Sequence, residues 1–194
     1  MLTKRKKQAG RGLHRQQGFS LMELCVAVAI AAIIAAIAIP ALLGARERYR
    51  LRASATDVLS VIKRAQTEAV RRGAKVKLLF NAVNGTCTVF VDDGSGGGVA
   101  GDSIPNGTET VSVSTLQPGN SLLNITFPPT NISEFNSGGM PVNVCPTLQG
   151  PPPVPTCFVN IVRPANLVLQ YRVSLNITGH TILQVSEDSG ATWN

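Results

Sequence analysis

The sequence predicts an α+β fold in which a long N-terminal helix, transmembrane in its first half, packs on an antiparallel β-sheet head. Residues 24–43 are an uncharged apolar run, and a stripe of apolar residues at helical spacing follows it. Seven β-rich runs then lie between residues 74 and 186, separated by Asn-Gly, Pro-Gly, Gly-Gly and Pro-Pro turn signals. No helical pattern of crossover length lies between these runs, so we expect an antiparallel sheet.

The first 17 residues form a basic segment without hydrophobic periodicity. They contain six Lys or Arg residues and no acid, so removing them lowers the basic count from 18 to 12 against 11 acids, and the net charge from +7 to +1. A small-residue cleavage site beyond the apolar run is missing, so any cut must precede that run and leave the helix on the mature chain. The basic flank is expected to stay in the cytoplasm.

The apolar run is long enough to cross a hydrocarbon core of about 30 Å at about 1.5 Å per residue. Glu23 stands at its start, where a charge in hydrocarbon costs roughly 2.5 to 3.5 kcal/mol, so something must offset that cost. Pro40 is expected to kink or locally melt the helix, because proline lacks an amide hydrogen and its ring clashes with the preceding turn.

The helix is expected to continue beyond the membrane to about Arg72, as one bent helix that begins near Ser20. Arg71 and Arg72 supply a basic last turn, and Gly73 supplies a left-handed stop. The apolar stripe that should pack on the head consists of Leu51, Ala55, Val58, Ile62, Ala65 and Ala69.

The cysteines indicate an oxidising compartment for the head. Cys145 and Cys157 bracket a proline-rich loop, and a disulfide between them would close it, with a contribution of about 3 kcal/mol in the chain-entropy account. The alternative is two free, partly buried thiols. Cys25 lies within the apolar helix as a small hydrophobe, and Cys87 has no obvious partner.

The glycine-rich stretch after the second β-rich run is expected to be a flexible loop. It formally fits G-x-G-x-x-G at Gly96, Gly98 and Gly101, but no helix pattern follows, so the dipole that binds phosphate would be absent. The acids around it do not have the spacing of an EF-hand calcium loop, which favours a solvated loop. These acids are Asp92, Asp93 and Asp102.

Other candidate chemistry has simpler structural explanations. With only His14 and His180 in the chain, we expect no metal site, no cofactor, no catalytic residues and no enzyme; His180 is expected in a turn.

Residues 186–193, SEDSGATW, resemble the turn called an Asp box in sialidases, and one copy indicates a local turn. From Leu78 onward the chain has two Arg residues and seven acids, a net charge of −5, so nucleic acid is not expected as a partner.

Four arginines follow the apolar run at alternate positions. Just outside a membrane they could meet lipid phosphates or the acidic heads of neighbouring proteins, or remain solvated. A nucleic-acid track is disfavoured, because Tyr49 is the one aromatic residue available for stacking there. These residues are Arg46, Arg48, Arg50 and Arg52.

A close resemblance to the N-terminal signature of type IV pilins and type II secretion pseudopilins lies in Gly18-Phe19-Ser20-Leu21-Met22-Glu23. The basic segment before these residues and the apolar run with Pro40 after them are part of the same resemblance. The resemblance implies that a prepilin peptidase cuts after Gly18 and methylates Phe19. It also implies that Glu23 pairs with the terminal amine of a neighbouring subunit inside a filament. The alternative is that Glu23 merely snorkels at the lipid surface.

A second stretch, DVLSVIKRAQTEAVRRGAKVKL, looks like the helix-to-strand passage of the GspH/FimT group of minor pilins and pseudopilins. Ala65, Glu68, Ala69, Arg72 and Gly73 stand in the corresponding places, and the group carries a β-sheet head near a filament tip. Some DNA-binding members have a Gly-Arg-x-Arg motif, where this chain has GHTI at residues 179–182, so DNA uptake is not expected.

The resemblance implies a minor pseudopilin of a type II secretion system, a non-catalytic subunit at or near the pseudopilus tip. Its partners would be other pilins or pseudopilins, the prepilin peptidase and inner-membrane lipid. The alternatives are a minor pilin of a type IV pilus, with a role in DNA uptake, and a membrane-anchored binding protein that never polymerises. The expected segments are a leader at 1–18, a transmembrane and assembly helix at 19–43, its amphipathic continuation at 44–73 and a periplasmic β-rich head at 74–194.

Overall fold

The computed structural model describes residues 20–106, 108–128, 131–142 and 156–194. Gly18, Phe19 and Cys145, to which the sequence assigns roles, lie outside the described residues. The chain divides into two compact units, the first ending at Gly44 and the second covering Ala45–Asn194. The second unit contains the later part of the helix and all of the described strands.

Helix α1, Leu21–Arg72, is a single helix of 52 residues, which confirms the predicted extent. It remains helical at Pro40, so the expectation of local melting is wrong. A proline removes one hydrogen bond from the ladder, and the bonds on either side are enough to keep the turn helical. The expected kink stays a prediction.

The C-terminus of α1 is closed as the sequence predicts. Gly73 adopts a left-handed conformation with φ of 61°. The amide of Ala74 donates to the carbonyl of Ala69 at 3.3 Å, which is the 6→1 hydrogen bond of a Schellman cap. Glu68 accepts hydrogen bonds from Arg71 and Arg72 at 2.7 and 3.2 Å, and these two arginines lower the pKa of Glu68.

Eight described strands form two four-stranded antiparallel sheets. Numbered along the chain, the strands are β1 (Val76–Asn81), β2 (Thr86–Phe90), β3 (Thr110–Thr115), β4 (Ser121–Leu123), β5 (Ile132–Phe135), β6 (Thr156–Arg163), β7 (Asn166–Asn176) and β8 (Thr181–Ser186). The first sheet has the order β3-β2-β1-β5, and the second has the order β4-β6-β7-β8.

Each of the seven predicted runs contains a strand, and the antiparallel arrangement is confirmed. Sequence reasoning missed β5, which is only four residues long and has Ser133 and Glu134 at its centre. Its position is decided by pairing with β1, where Val76 lies opposite Phe135. The division of the head into two sheets was also not predicted.

The predicted helical stripe is buried and belongs to one hydrophobic core with residues of both sheets. Each of the six stripe residues is no more than 2% exposed. Three of them are alanines, which allow close approach between the helix and the strands. The strand residues at the centre of this core include Val76, Leu78, Phe80, Val89, Phe135, Val159, Ile161, Val173 and Leu175.

Polar contacts from the helix to loops of the head set the rotation of the helix about its axis. The hydroxyl oxygen of Ser54, which is fully buried, accepts hydrogen bonds from the Gln117 amide at 3.0 Å and from Asn120 Nδ2 at 2.8 Å. Near the end of the helix, Gln66 Nε2 donates to the carbonyl of Gly179 at 2.8 Å. Both contacts lie beside the apolar stripe, so they favour one orientation of it.

The C-terminal stretch forms the local turn that the Asp-box pattern predicts. Ser186 and Thr192 both donate their hydroxyls to the Asp188 carboxylate at 2.6 Å, and the Thr192 amide donates to it at 2.9 Å. These bonds hold the pKa of Asp188 well below its usual range. Asn194 then pairs its backbone with Val185 of β8. His180 is exposed in the turn between β7 and β8, as expected.

Ser54→Ala is expected to destabilise the protein by about 2 kcal/mol relative to Ser60→Ala, because two donors lose their buried acceptor. Ser60 is an exposed serine of the same helix, so both changes have the same effect on helix propensity. The measurement is thermal unfolding of the detergent-solubilised protein by circular dichroism. Equal melting temperatures for the two variants would contradict the assigned role of Ser54.

Candidate functional site

The first half of α1 is an uncovered apolar surface. Its large apolar side chains are between 51% and 80% exposed, for example Leu21 at 80% and Ile37 at 73%. The most apolar window of α1 has a mean hydropathy of 2.8, and none of it is buried. Its length and composition suffice to cross a membrane. An apolar surface of this extent requires lipid or another protein to cover it.

Glu23 lies in the first turn of α1, beside this apolar surface. It shares a helix face with Val26, Ala27 and Ile30, one and two turns further along. No hydrogen bond or ion pair to Glu23 is present among the residues that the structure describes. The positive end of the helix dipole favours a carboxylate in this turn, but a full counter-charge must come from elsewhere.

The other predicted site residues do not join Glu23 in one cluster. Pro40 lies 17 residues further along α1, about 26 Å away at 1.5 Å per residue. Gly18 and Phe19, at which the sequence predicts processing, precede the described residues. The candidate site is therefore the exposed surface of one helix, with a single described charge at its beginning.

Cys157 is disulfide-bonded, and its predicted partner Cys145 lies outside the described residues, so the pairing itself stays a prediction. Cys25 is free and exposed on the apolar surface of α1. Cys87, whose state the sequence left open, is free and buried in the head. Burial raises the pKa of the Cys87 thiol to about 12, which makes it an unreactive core residue.

The loop between β2 and β3 differs from the solvated, flexible loop that the sequence predicted. The Asp92 side chain is only 3% exposed and forms an ion pair with Lys77 of β1 at 2.5 Å. Its carboxylate also accepts the amides of Gly101 at 2.6 Å and Ser103 at 2.9 Å. Burial opposes ionisation of Asp92, but the bonds from Lys77, Ser103 and Gly101 outweigh it and lower the pKa. The expectation of a solvated carboxylate was wrong for Asp92, because its counter-charge comes from a neighbouring strand.

The glycines of this loop pack against a second carboxylate. Glu109 is 1% exposed and accepts the amides of Gly94 at 2.8 Å and Asn106 at 3.2 Å. A Cβ on Gly98 would lie 2.7 Å from Glu109 Oε1, so only glycine fits there. The loop contains a 3₁₀ turn of three residues, Ser95–Gly97, which cannot provide the dipole that a phosphate site uses.

Within the described residues, no group of three or more His, Cys, Asp or Glu side chains could hold a metal ion. Asp93 and Asp102 instead accept amides of their own loop, from Ser95 at 2.9 Å and Ile104 at 2.8 Å. The arginine series after the apolar run is largely exposed on α1. Its contacts with lipid phosphates or acidic heads stay predictions.

Comparison with known families finds one match at the N-terminus. Residues 13–39 match the family described as the prokaryotic N-terminal methylation motif. This segment contains Gly18, Phe19 and Glu23 and runs into the apolar part of α1. This segment therefore carries a prepilin-type N-terminal methylation motif, which runs into a helix long and apolar enough to cross a membrane. No curated protein sequence matches the chain.

Three solved structures are similar in part. The minor pseudopilin EpsH from the type 2 secretion system of Vibrio cholerae has a TM-score of 0.48 and 16% identity, with 69% of this chain and 95% of that chain covered. The type IV minor pilin FimU of Pseudomonas aeruginosa has a TM-score of 0.48 and 13% identity, with coverages of 76% and 95%. A second crystal form of FimU has a TM-score of 0.46 and 12% identity, with coverages of 74% and 96%.

Asp92→Asn is expected to destabilise the protein by about 3 kcal/mol, since both carboxylate oxygens accept bonds and an amide nitrogen would face a donor. Asp93→Asn is the matched control, because this exposed neighbour accepts an amide that an asparagine oxygen also accepts. The measurement is thermal unfolding of both variants at several pH values.

The pH dependence has a defined sign. Because folding lowers the pKa of Asp92, its contribution is complete above the unfolded pKa of about 3.9 and is lost as the pH falls through the folded pKa. The difference between wild type and Asp92→Asn should therefore shrink below about pH 4. A difference that grows on acidification would contradict the ion pair with Lys77.

Proposed function

We propose that this protein is a minor subunit of a type IV pilin-like filament, and specifically a minor pseudopilin of a type II secretion system, placed at or near the pseudopilus tip. The observation that carries the proposal is the continuity of the methylation motif at residues 13–39 with an uncovered apolar helix whose one described charge is Glu23. Such a helix suits two successive surroundings, lipid before assembly and neighbouring helices after it.

In this proposal a prepilin peptidase removes residues 1–18 on the cytoplasmic side and methylates the amine of Phe19. The basic leader supports this orientation. Residues 19–43 then anchor the protein in the inner membrane as a single span, 44–73 continue the helix, and 74–194 form a periplasmic head. The disulfide of Cys157, which we assign to Cys145, suits an oxidising periplasm.

Glu23 would drive recruitment by charge pairing. Once the leader is cut, the amine of a neighbouring Phe19 carries a positive charge, and the carboxylate of Glu23 can meet it inside the filament. Each charge alone would be costly in an apolar interior, and the pair removes much of that cost. The pairing would also favour one axial offset between subunits, and a kink at Pro40 would fit the helix to its neighbours.

The action of the subunit would be mechanical and not catalytic. The features that resemble the GspH/FimT group form the end of α1: Ala65 and Ala69 are buried, Glu68 binds Arg72, and Gly73 turns the chain into β1. They fix the end of α1 to β1 within the head, so that a subunit that caps or primes a filament would present a defined head. The head carries the partner-specific surfaces.

Processing is the first test. Co-expression with a prepilin peptidase should shorten the chain from 194 to 176 residues, since 194 − 18 = 176, with methylated Phe19 at the new terminus. Intact mass and N-terminal sequencing measure this. Gly18→Asp should block the cut, because a bulky charged side chain replaces the residue at the scissile bond.

Gly10→Asp is the matched control, because it introduces the same charge into the same leader away from the predicted cut. Gly10→Asp should be processed like wild type. A wild-type chain that keeps residues 1–18 beside an active peptidase would refute the filament assignment and favour a membrane-anchored binding protein.

Complementation in the host tests Glu23 and the choice of system. In a strain lacking the gene, the wild-type chain should restore export of secreted proteins to the medium, with surface pili unchanged. Glu23→Gln should be processed and inserted normally, yet restore less than about a tenth of export, because the paired charge is gone. Glu23→Asp, which keeps the charge on a shorter side chain, should restore an intermediate level.

Restoration of surface pili or DNA uptake, with secretion unaffected, would reject the type II assignment in favour of a type IV minor pilin. Full activity of Glu23→Gln would reject charge pairing. In that case Glu23 would be a carboxylate that snorkels at the lipid surface.

A further inference from the structure

The outward face of the sheet β4-β6-β7-β8 has one charged side chain at its centre. The strand register aligns Asn160, Arg172 and Gln184 in a row across β6, β7 and β8. The alternate residues Ile161 and Val173 belong to the hydrophobic core, so this row lies on the opposite face. The neighbours of Arg172 in the row are uncharged, and the cation therefore has no acid beside it in the sheet.

Arg172 is held in place by two aromatic rings and one hydrogen bond. Its Cζ lies 4.1 Å from the centroid of the Phe158 ring and 3.8 Å from that of Trp193. Its Nε donates to Asn160 Oδ1 at 3.0 Å. Trp193 is itself fixed, since its Nε1 donates to the carbonyl of Gly190 at 3.0 Å in the C-terminal turn. The guanidinium is therefore oriented before any partner arrives.

The terminal nitrogens of Arg172 have no partner in the part of the chain that the structure describes. Among the residues that the structure describes, neither forms a hydrogen bond or ion pair, and neither belongs to the buried side-chain atoms that lack a hydrogen-bond partner. By contrast Arg163, the other arginine of the distal chain, pairs with Glu47 at 3.0 Å. Burial lowers the pKa of Arg172. A guanidinium remains charged and offers two parallel donors in the geometry of a carboxylate.

We propose that Arg172, held by Phe158 and Trp193, is a docking site for the carboxylate of an Asp or Glu side chain on the head of a neighbouring subunit. That the carboxylate belongs to a filament subunit rests on the proposed function. A polyanion is not expected to bind here, because the chain from Leu78 onward has a net charge of −5 and Arg172 is a single cation. Both described rings already contact the guanidinium, which disfavours base stacking on them.

Trp193 is the one tryptophan of the chain and contacts Arg172, so its fluorescence reports on this site. The full-length protein in detergent micelles is titrated with tetraglutamate and, at equal ionic strength, with tetraglutamine. Tetraglutamate should change the emission saturably and tetraglutamine should not. Arg172→Gln should weaken the tetraglutamate response by about tenfold or more, since a charge-assisted bidentate contact is lost.

Two further variants separate docking from folding. Arg172→Lys keeps the charge but not the planar fork, and should weaken the response by several-fold. Arg64→Gln removes an exposed arginine of α1 that has no described partner, and should respond like wild type. No response in the wild type, an equal response to tetraglutamine, or an unchanged response in Arg172→Gln or Arg172→Lys would overturn the proposal. A tighter response to oligothymidylate would overturn it in favour of nucleic acid.

The host strain tests whether the carboxylate belongs to a subunit. Arg172→Glu should be processed after Gly18 and inserted like wild type, yet fail to restore export, because it repels the incoming acid. Full restoration would overturn docking to a subunit. Failure of the proposed function would instead appear as an uncut wild-type leader, while the fluorescence titration of the full-length protein could still succeed. Failure of the docking site and failure of the filament assignment are therefore distinguishable.

Discussion

The structure depends on a change of surroundings along one helix. Up to Leu43 the helix is apolar and exposed, and from Leu51 a stripe of apolar residues on one side of it is buried in the core of the head. The helical period is the same in both halves, and the polar residues between the apolar ones make the difference. The first half therefore needs an external apolar partner, whereas the second half supplies its own.

Carboxylates that accept backbone amides organise the loops of the head. Asp92 and Glu109 accept backbone amides from the long loop between β2 and β3, and Asp188 does the same in the C-terminal turn. Loop amides have no ladder partner, so a nearby acceptor is needed wherever they are shielded from water. The acidity of the distal chain thus has a structural explanation that requires neither a metal ion nor a catalytic centre.

The cations of the head fall into two kinds. Lys77 and Arg163 neutralise acids of the same chain. The first pair joins β1 to the long loop, and the second joins the helix to β6. Arg172 is fixed by aromatic rings and an amide oxygen, with its terminal nitrogens free among the described residues. Ion pairs of the first kind contribute to the fold, whereas a preorganised guanidinium of the second kind has capacity for a partner outside the chain.

The sequence by itself determined the elements that have a local signal. The helical stripe ending at Gly73, the seven strands other than β5 and the Asp188 turn depend on periodicity or on hydrogen bonds between near neighbours, and each was predicted. The N-terminal motif, which is also local, likewise predicted that Glu23 lies at the start of the apolar helix. Other features depend on contacts between residues far apart in the sequence, and only the tertiary structure decided them. Strand β5 forms through its pairing with β1, and Asp92 is buried because Lys77 pairs with it. Arg172 is held in place because Phe158 and Trp193 both contact its guanidinium. Such contacts leave no periodic trace, because the residues that form them are separated along the chain and meet only when the sheets assemble.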